Sequence, residues 1–372
     1  MLKILKTTAK VIIFTILTAI GLFLTLVLVF NSIRWHDISW QKRHLADLAE
    51  LYDGTYVPVD EQQFVAFDLA TTTLRLNEIR MIASHNSYKK LGTGLGKLFV
   101  GLGDSFAEAE ALKYGNPDLT AQLDLGIRSF ELDVRYRRGD FECTHVPLVD
   151  NSTTAAKLAL ALEEIKLWSD GNPGHIPIIL LFELKDDWMI LDPMLANIGA
   201  IELLLLDELL KDKFEDSLYT PGMLMDGHDS PNARLQAESW PLLTELLGKI
   251  IVVLHPGSFT QTYLETDPDY DSMAMFPGVS NLNVDHPYAT FVVHNDPNVE
   301  NIAALLDANL IVRTRMDANL VVDPDTRARA MASGAQLMTT DFHPAHQLEE
   351  GEAVYLQDEF LIITNDVLTA DE

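Results

Sequence analysis

Apolar positions near the start of the chain form one unbroken run. Residues 11–30 are apolar or small throughout and carry no charge. About 20 such residues match the hydrocarbon thickness of a bilayer, so the run predicts one transmembrane helix. Lysines before the run favour a cytoplasmic N-terminus, whereas basic residues after it weaken this orientation (Lys3, Lys6 and Lys10 before; Arg34, Lys42 and Arg43 after).

The residues that follow the run bear on whether it is a cleaved signal peptide. A signal peptide has a shorter apolar region and a small-x-small cleavage site, and residues 31–36 lack such a site. We therefore predict an uncleaved, single-pass membrane anchor with the rest of the chain outside the cytoplasm, in the periplasm or the extracellular space. The predicted organisation is a cytoplasmic stub and anchor at 1–35, a connector at 36–74 with a short helix over 40–51, and one domain at 75–372.

Beyond residue 75, short apolar runs alternate with longer stretches of helical periodicity. The helical stretches include residues 154–169, 193–213 and 299–309. The predicted strands are residues 78–84, 127–135, 176–185, 249–255, 289–294, 310–315 and 335–340, with a weaker one at 217–220.

The strand runs predict the fold class. They are continuous in Val, Ile and Leu without strict alternation, which is typical of strands covered on both faces. About eight strand–helix units in one series favour an α/β fold, a TIM-like (β/α)8 barrel preceded by the transmembrane helix. An open doubly wound sheet is the alternative. It is less favoured because no Gly-x-Gly-x-x-Gly loop follows the first strand.

Composition narrows the range of partners. The formal net charge of −28 disfavours nucleic acid and also repels anionic lipid at long range, unless a cation or local arginines offset the field. With 48% hydrophobic residues, the 372-residue chain has ample material for a large core. The one cysteine, Cys143, excludes an intrachain disulfide and is expected to be a small packed residue rather than a nucleophile. No feature points to a protein partner.

Charged residues fall in pairs near the ends of three predicted strands. Side chains two apart on a strand point to the same face, so each pair shares a face (Glu131 with Asp133, Glu183 with Lys185, Arg313 with Arg315). The carboxyl ends of barrel strands carry the active site in this type of fold. Burying such charged pairs in an apolar core would cost too much free energy. We therefore expect them around a solvent-filled opening of the barrel with a bound cation. His85 and Asn86 end the first strand and are expected to reach the same place.

The oxygen-bearing residues of this set predict a hard-cation site. Calcium prefers six to eight oxygen ligands, and the expected ligands are Asn86, Glu131, Asp133 and Glu183. Zinc would favour His or Cys ligands, and Mg²⁺ would usually keep more waters, so both are less favoured. Singly, any of these carboxylates would be explained by a surface ion pair.

His85 and His145 are the candidate catalytic pair, because imidazole titrates near neutral pH. Cleavage of a phosphodiester by internal attack needs a base for the hydroxyl proton and an acid for the departing alkoxide. Lys185, Arg313 and Arg315 are candidates to hold phosphate or polyol oxygens. The role of His343 stays open.

Together these segments resemble the catalytic X region of phosphatidylinositol-specific phospholipases C. The resemblance covers about residues 75 to 345, and its later blocks are similar to the bacterial calcium-dependent branch. The blocks that carry it are Ser84-His85-Asn86-Ser87-Tyr88, Gln122-Leu123-Asp124-Leu125-Gly126-Ile127-Arg128, Glu131-Leu132-Asp133-Val134, His145, Glu183-Leu184-Lys185, Ile311-Val312-Arg313-Thr314-Arg315-Met316-Asp317 and Thr339-Thr340-Asp341-Phe342.

The resemblance implies a TIM-like barrel, His85 and His145 as the catalytic pair, and calcium bound by the four oxygen ligands named above. It also implies attack of the inositol 2-hydroxyl on phosphorus, giving a cyclic inositol phosphate and diacylglycerol. The retained carboxylates point to the calcium route rather than to the arginine of the metal-independent relatives.

Two other functions stay open at this level. Glycerophosphodiester phosphodiesterases usually show His-Arg-Gly at the first strand, where this chain has His85-Asn86-Ser87. A non-catalytic, membrane-anchored calcium-binding protein would need neither histidine. The chain also departs from the family in its tether, because the relatives are often soluble or secreted.

Overall fold

The buried strands of the protein form a ring of parallel strands, seen in a computed structural model that describes residues 2–280, 283–348 and 351–369. Its strands are β1 (Ile79–Ser84), β2 (Ser129–Arg137), β3 (Asp140–Cys143), β4 (Ile178–Leu184), β5 (Leu218–Tyr219), β6 (Ile250–Leu254), β7 (Met275–Pro277), β8 (Val279–Ser280), β9 (Phe291–Val293), β10 (Ile311–Arg315), β11 (Leu337–Thr340) and β12 (Ile362–Thr364).

Helices surround the ring and precede it. They are α1 (Leu2–Asp53), α2 (Gly94–Gly103), α3 (Phe106–Ala111), α4 (Leu119–Asp124), α5 (Leu158–Gly171), α6 (Ala200–Phe214), α7 (Pro221–Met225), α8 (Pro231–Glu238), α9 (Thr260–Leu264), α10 (Val299–Leu306), α11 (Pro324–Ala332) and α12 (Asp366–Thr369). Short 3₁₀ turns lie at Glu61–Phe64, Leu76–Glu78, Met189–Leu191, Glu215–Ser217 and Leu243–Glu245.

Parallel pairing runs in the order β6-β4-β2-β1-β11-β10-β9-β8. The segment made of β7 and β8 closes the ring, since β7 pairs with β6 and β8 pairs with β9. Gly278 joins these two short strands and donates its backbone N–H to the Leu254 carbonyl at 2.8 Å. The α/β barrel class is therefore confirmed, and seven of the predicted strands lie in the ring.

The eighth barrel position differs from the sequence prediction. The weak strand predicted at 217–220 is present as β5, but it pairs only beside the first two residues of β6. The ring is closed instead by Met275–Pro277 and Val279–Ser280, which were not predicted as strands. Residues 275–280 contain a proline and a glycine, which are typical of turns, so the sequence pattern does not indicate a strand there. The antiparallel additions β3 on β2 and β12 on β1 were also missed.

The core lies between the sheet and the surrounding helices. In α5, the buried apolar residues repeat at intervals of three and four, which is the stripe that an amphipathic helix buries against a sheet. These residues are Leu158, Ala161, Leu162, Ile165 and Trp168. The three helices predicted at 154–169, 193–213 and 299–309 correspond to α5, α6 and α10, with ends that differ by up to seven residues.

α1 is a single continuous helix that extends well past the apolar run. It spans Leu2–Asp53, so the boundary expected at residue 35 does not interrupt it, and the short helix expected at 40–51 is its last part. At about 1.5 Å per residue, its 52 residues extend roughly 78 Å. α1 is long and apolar enough to cross a membrane, and a signal sequence would meet the same criterion. The division into 1–35, 36–74 and 75–372 stays a prediction.

The second half of α1 is attached to the barrel by polar contacts. Asp37 is fully buried and accepts hydrogen bonds from the Thr153 backbone N–H at 3.0 Å and the Lys90 ammonium at 2.7 Å. Arg34 Nε donates to Glu142 Oε2 at 2.9 Å. A buried carboxylate with this many donors is costly to uncover, so α1 and the barrel are held in one arrangement.

His44 adds a titratable contact between α1 and the barrel. Its Nε2 lies 3.5 Å from Glu164 Oε1 and 3.6 Å from Asp118 Oδ1. Contact with Glu164 raises the pKa of His44 above its ordinary value of 6.5, despite partial burial. A raised folded pKa gives stabilisation that is complete below about pH 6.5 and is lost as pH rises past the folded value.

We therefore expect His44→Gln to lower the free energy of unfolding more at about pH 6 than at about pH 8.5. Denaturant unfolding of the full chain in detergent, at both pH values, measures this difference. His286→Gln is the control, since His286 is an exposed histidine outside α1 whose ring stacks on Tyr288. An equal effect of His44→Gln at both pH values would show that the ion pair contributes nothing.

Candidate active site

The predicted site residues gather at the carboxyl ends of the barrel strands. Seven of the nine line a cavity of about 230 Å³ that opens to solvent, whereas Asp133 and Arg313 lie outside its lining. The cavity is lined by His85, Asn86, Glu108, Ala111, Leu112, Tyr114, Glu131, His145, Glu183, Lys185, Arg315, Asn319 and Asp341. Because parallel strands end at one rim, residues about 230 positions apart in sequence become neighbours there.

Three carboxylates form the acidic part of the site. Glu131 and Asp133 lie on one face of β2, and the register of β2 with β4 puts Asp133 directly opposite Glu183. One oxygen of each lies within 4.8 Å of the others. This spacing allows the three carboxylates to share one cation, and hard oxygen donors suit calcium.

Asn86, the fourth predicted oxygen ligand, lines the same cavity. It follows β1 with a positive φ of 44°, so the backbone turns sharply there. Its amide Nδ2 donates to the Tyr114 hydroxyl at 2.6 Å. Among the described residues, Oδ1 of Asn86 and both carboxylate oxygens of Asp133 are buried and accept no hydrogen bond, and the cation nearest to Asp133 is Lys185, with Nζ 3.4 Å from Oδ2. Buried acceptors without partners are costly, and a hard cation is a ligand that fits them.

The two buried carboxylates of β2 differ in acidity. Burial raises the pKa of Glu131, but the Arg313 guanidinium, helped by His85 and Arg315, lowers it well below its usual value. Burial raises the pKa of Asp133 to about 6, although Lys185 and His145 act in the opposite direction. Asp133 is therefore the less compensated of these two carboxylates.

His85 is oriented by a carboxylate behind it. Its Nδ1 donates to Asp341 Oδ1 at 2.7 Å, which leaves Nε2 as the acceptor nitrogen facing the cavity. Arg315 lies 3.2 Å from that Nε2. Burial raises the pKa of Asp341, but the hydrogen bond from His85 lowers it below its usual value. The ring also stacks on Tyr114, with centroids 5.8 Å apart.

His145 has a weaker carboxylate partner of the same kind. Its Nδ1 lies 3.5 Å from Asp150 Oδ2. The loop that carries it is fixed from below by Arg135, which donates to the carbonyls of Thr144 at 3.2 Å and His145 at 2.8 Å. Both candidate catalytic histidines therefore line one cavity, and each has an acidic side chain behind it.

The three basic residues predicted to hold substrate occupy different positions. Lys185 Nζ lies 2.9 Å from Glu183 and 3.4 Å from Asp133, at the place where a cation would compete with it. Arg315 lines the cavity beside His85. Arg313 is buried beneath it, paired with Glu131 and donating to Thr339 at 2.9 Å. This location favours a role for Arg313 in holding Glu131 rather than contacting substrate.

Several residues that sequence reasoning did not assign belong to the site. Asp341 is hydrogen-bonded to His85, Asp150 lies 3.5 Å from His145, and Tyr114 contacts both His85 and Asn86. Asp341 directly follows β11, so its strand-end placement is the same signal that identified Glu131 and Glu183. Asp150 and Tyr114 lie in loops, where no periodicity marks them.

We expect Asp341→Asn to lower kcat by about 10- to 100-fold, because the amide cannot hold the Nδ1–H tautomer of His85 as firmly. Asp341→Glu should recover part of the loss by restoring a carboxylate acceptor. The measurement is kcat and KM on a phosphodiester substrate. Unchanged kcat with a raised KM would contradict a positioning role.

A second, apolar cavity of about 560 Å³ adjoins the first. Its walls come from α2, the loop after His145 and the turn at Trp188, and it shares three residues with the polar cavity (Glu108, His145 and Lys185). His145 therefore stands at the junction of a polar and an apolar space. This is the division that a molecule with a polar head and an apolar tail requires.

An α/β barrel with two histidines beside an acidic oxygen cluster at its mouth is the arrangement expected of a barrel phosphodiesterase. The family model for Ca²⁺-dependent phosphoinositide phospholipase C matches residues 74–138 and 135–365. The chain belongs to this family, and the predicted enzyme class is thereby confirmed.

Solved structures agree in fold. The calcium-dependent phosphoinositol-specific phospholipase C from a Gram-negative Pseudomonas is 18% identical, with a TM-score of 0.55 over 82% of this chain and 99% of that one. Its myo-inositol complex is 19% identical, with a TM-score of 0.54 over 80% of this chain and 98% of that one. The calcium-dependent phosphatidylinositol-specific phospholipase C from Streptomyces antibioticus is 20% identical, with a TM-score of 0.51 over 72% of this chain and 94% of that one. No curated protein sequence matches significantly.

Proposed function

We propose that the protein cleaves a phosphatidylinositol-type phospholipid to diacylglycerol and an inositol phosphate, cyclic in the first step, by acid–base catalysis with His85 and His145. The observation that carries the proposal is that both histidines, each with an acidic partner, line one cavity beside the cluster of three carboxylates. A polyol head group suits this cavity, which is polar and small.

His85 is the base in this proposal. Its Nδ1–H is held by Asp341, so the lone pair on Nε2 faces the cavity. Nε2 takes the proton of the inositol 2-hydroxyl as that oxygen attacks phosphorus. The resulting imidazolium is stabilised by the Asp341 carboxylate and lies 3.9 Å from Glu131.

His145 is the acid, because it stands where the polar cavity meets the apolar one. The bond from phosphorus to the glycerol oxygen breaks there, and His145 gives its proton to the departing alkoxide of diacylglycerol. The proton taken by His85 and the one lost by His145 balance the step. Arg315 and Lys185 are within reach of phosphate oxygens at the same cavity.

Calcium is the proposed cofactor, with Asn86, Glu131, Asp133 and Glu183 as its ligands. When bound there, it would balance charge on the phosphate and increase the acidity of the attacking hydroxyl. The unpartnered oxygens of Asn86 and Asp133 support this assignment. Mg²⁺ is less favoured because it usually keeps several waters.

The proposed location is a membrane, with α1 as a single-pass anchor and the barrel on the extracytoplasmic side. The 20-residue apolar run in α1 is exposed along its length, as a lipid-facing helix must be, apart from its last few residues. A fusion reporter placed after residue 53 tests the orientation, and a cytoplasmic signal would refute it.

Product analysis tests the reaction. The full chain in detergent micelles should release diacylglycerol and a cyclic inositol phosphate from labelled phosphatidylinositol with calcium, and neither product with chelator. Glycerophosphodiesters without an inositol ring should be cleaved slowly or not at all. Faster cleavage of a glycerophosphodiester, or a linear phosphate formed without a cyclic precursor, would overturn the proposal.

A further inference from the structure

An exposed apolar surface flanks the site. Helix α2 turns Leu95, Leu98 and Leu102 outward, at spacings of three and four residues that put them on one helix face. The turn at Met189–Leu191 adds Trp188 and Ile190, and Ile190 is 91% exposed. We call these five side chains the apolar rim. Leu102 and Trp188 line the same apolar cavity, which joins the two groups. A cluster of exposed apolar side chains marks a contact with lipid or protein.

The rim lies beside the point where the apolar run of α1 ends. Phe30 is the last residue of that run, and its ring contacts Phe99 of α2 at a centroid distance of 6.1 Å. Asn151 donates to the Phe30 carbonyl at 3.0 Å. A hydrocarbon core of roughly 30 Å contains about 20 helical residues, so residues 11–30 place Phe30 at the membrane surface. Because Phe99 of α2 contacts Phe30, α2 also lies at the membrane surface.

The direction of α1 puts the membrane at the mouth end of the barrel. Its later residues contact progressively later parts of α5, with Gln41 donating to the Lys157 carbonyl at 3.1 Å and His44 lying 3.5 Å from Glu164. Tyr56, just after α1, reaches Asn172 at 3.1 Å, beyond the end of α5. The two helices therefore run in the same direction, away from the mouth. The apolar half of α1 projects from the mouth side.

We propose that α1 and the barrel form one rigid unit that holds the mouth of the site against the same membrane that α1 crosses, with the apolar rim in that leaflet. This rests on the proposed anchoring function of α1. Continuity of the rim with the anchor, through the contact of Phe99 with Phe30, identifies the occupant as lipid of that leaflet rather than a second protein. Substrate can then enter the apolar cavity sideways without leaving the bilayer.

The test measures depth in the membrane and does not depend on catalysis. The full chain is reconstituted into phosphatidylcholine vesicles that contain a nitroxide-labelled lipid. An environment-sensitive fluorophore is attached at Leu98→Cys in the rim, Phe14→Cys in the anchor or Leu125→Cys at the opposite end of the barrel. Leu98 and Leu125 are matched, since both are 47% exposed. The native chain gives the background, because Cys143 is buried.

We expect the labels at positions 14 and 98 to be quenched and the label at 125 to be unquenched. A quenched anchor with an unquenched rim would overturn the proposal and leave anchoring intact. An unquenched label at position 14 would overturn both the anchoring and the orientation. Equal quenching at 98 and 125 would show non-specific adsorption and would also overturn it. Product analysis in detergent decides the proposed reaction separately.

Discussion

Replacing His85 or His145 with Ala should lower the turnover of phosphatidylinositol by about 10²- to 10⁴-fold, the usual contribution of a positioned general acid or base. Each variant removes one of the two imidazoles that line the cavity and leaves the neighbouring carboxylate, Asp341 or Asp150, in place. The measurement is the initial rate of head-group release from mixed micelles at saturating calcium.

The two variants should differ with a better leaving group. An inositol phosphodiester of 4-nitrophenol needs no acid to release its phenolate, so His145→Ala should recover most of its lost rate with it. His85→Ala should not recover, because the attacking hydroxyl still needs a base. The reverse pattern would exchange the two roles, and equal recovery would refute the division between them.

His228→Ala is the matched control for these variants. His228 is a partly exposed histidine with a carboxylate partner of its own, Glu238 at 3.5 Å, but it lies outside the site. Its replacement should leave turnover unchanged. Rates for His85→Ala and His145→Ala within a factor of two of the native rate would end the acid–base proposal.

Asp133→Asn should remove the response to calcium. The loss expected in turnover is about 100-fold or more, since several kcal/mol of charge stabilisation by a cation corresponds to at least two powers of ten in rate. Calcium at about 100 times its dissociation constant should stabilise the native chain by about 2.7 kcal/mol. The same addition should leave the melting temperature of Asp133→Asn nearly unchanged.

Asp207→Asn is the control for this change. Burial raises the pKa of Asp207 to about 6, as it does for Asp133, but Asp207 is partnered by the Tyr263 hydroxyl and the Ala274 backbone in the core. That variant should be less stable and still respond to calcium. Full activity of the native chain in chelator, or an unchanged calcium response in Asp133→Asn, would exclude the proposed metal site.

Much of the site could be predicted because its residues lie on regular strands. Glu131 with Asp133 and Glu183 with Lys185 are two apart near the ends of buried runs, and the two-residue period of a strand puts each pair on one face. The parallel barrel then brings them together, and the structure shows the three carboxylates within reach of one another. Local periodicity and fold class were enough for this part.

The acidic partners of the histidines could not be predicted in the same way. Asp341 is 256 positions from His85, and their contact exists only because β1 and β11 are neighbours in the ring. Asp150 is close to His145 in sequence, but a loop between them sets the direction of its side chain. Sequence spacing carries no information on either geometry.

The sequence by itself determined the apolar run of α1, seven of the strands in the ring and the positions of the charged pairs, because each depends on the local order of apolar and polar residues. Only the tertiary structure decided that Met275–Pro277 and Val279–Ser280 close the ring, that α1 continues to Asp53 along the barrel, and which carboxylate supports which histidine. These features depend on packing between distant segments. The free energy of such packing depends on which segments meet in space, not on the order of residues within any one of them.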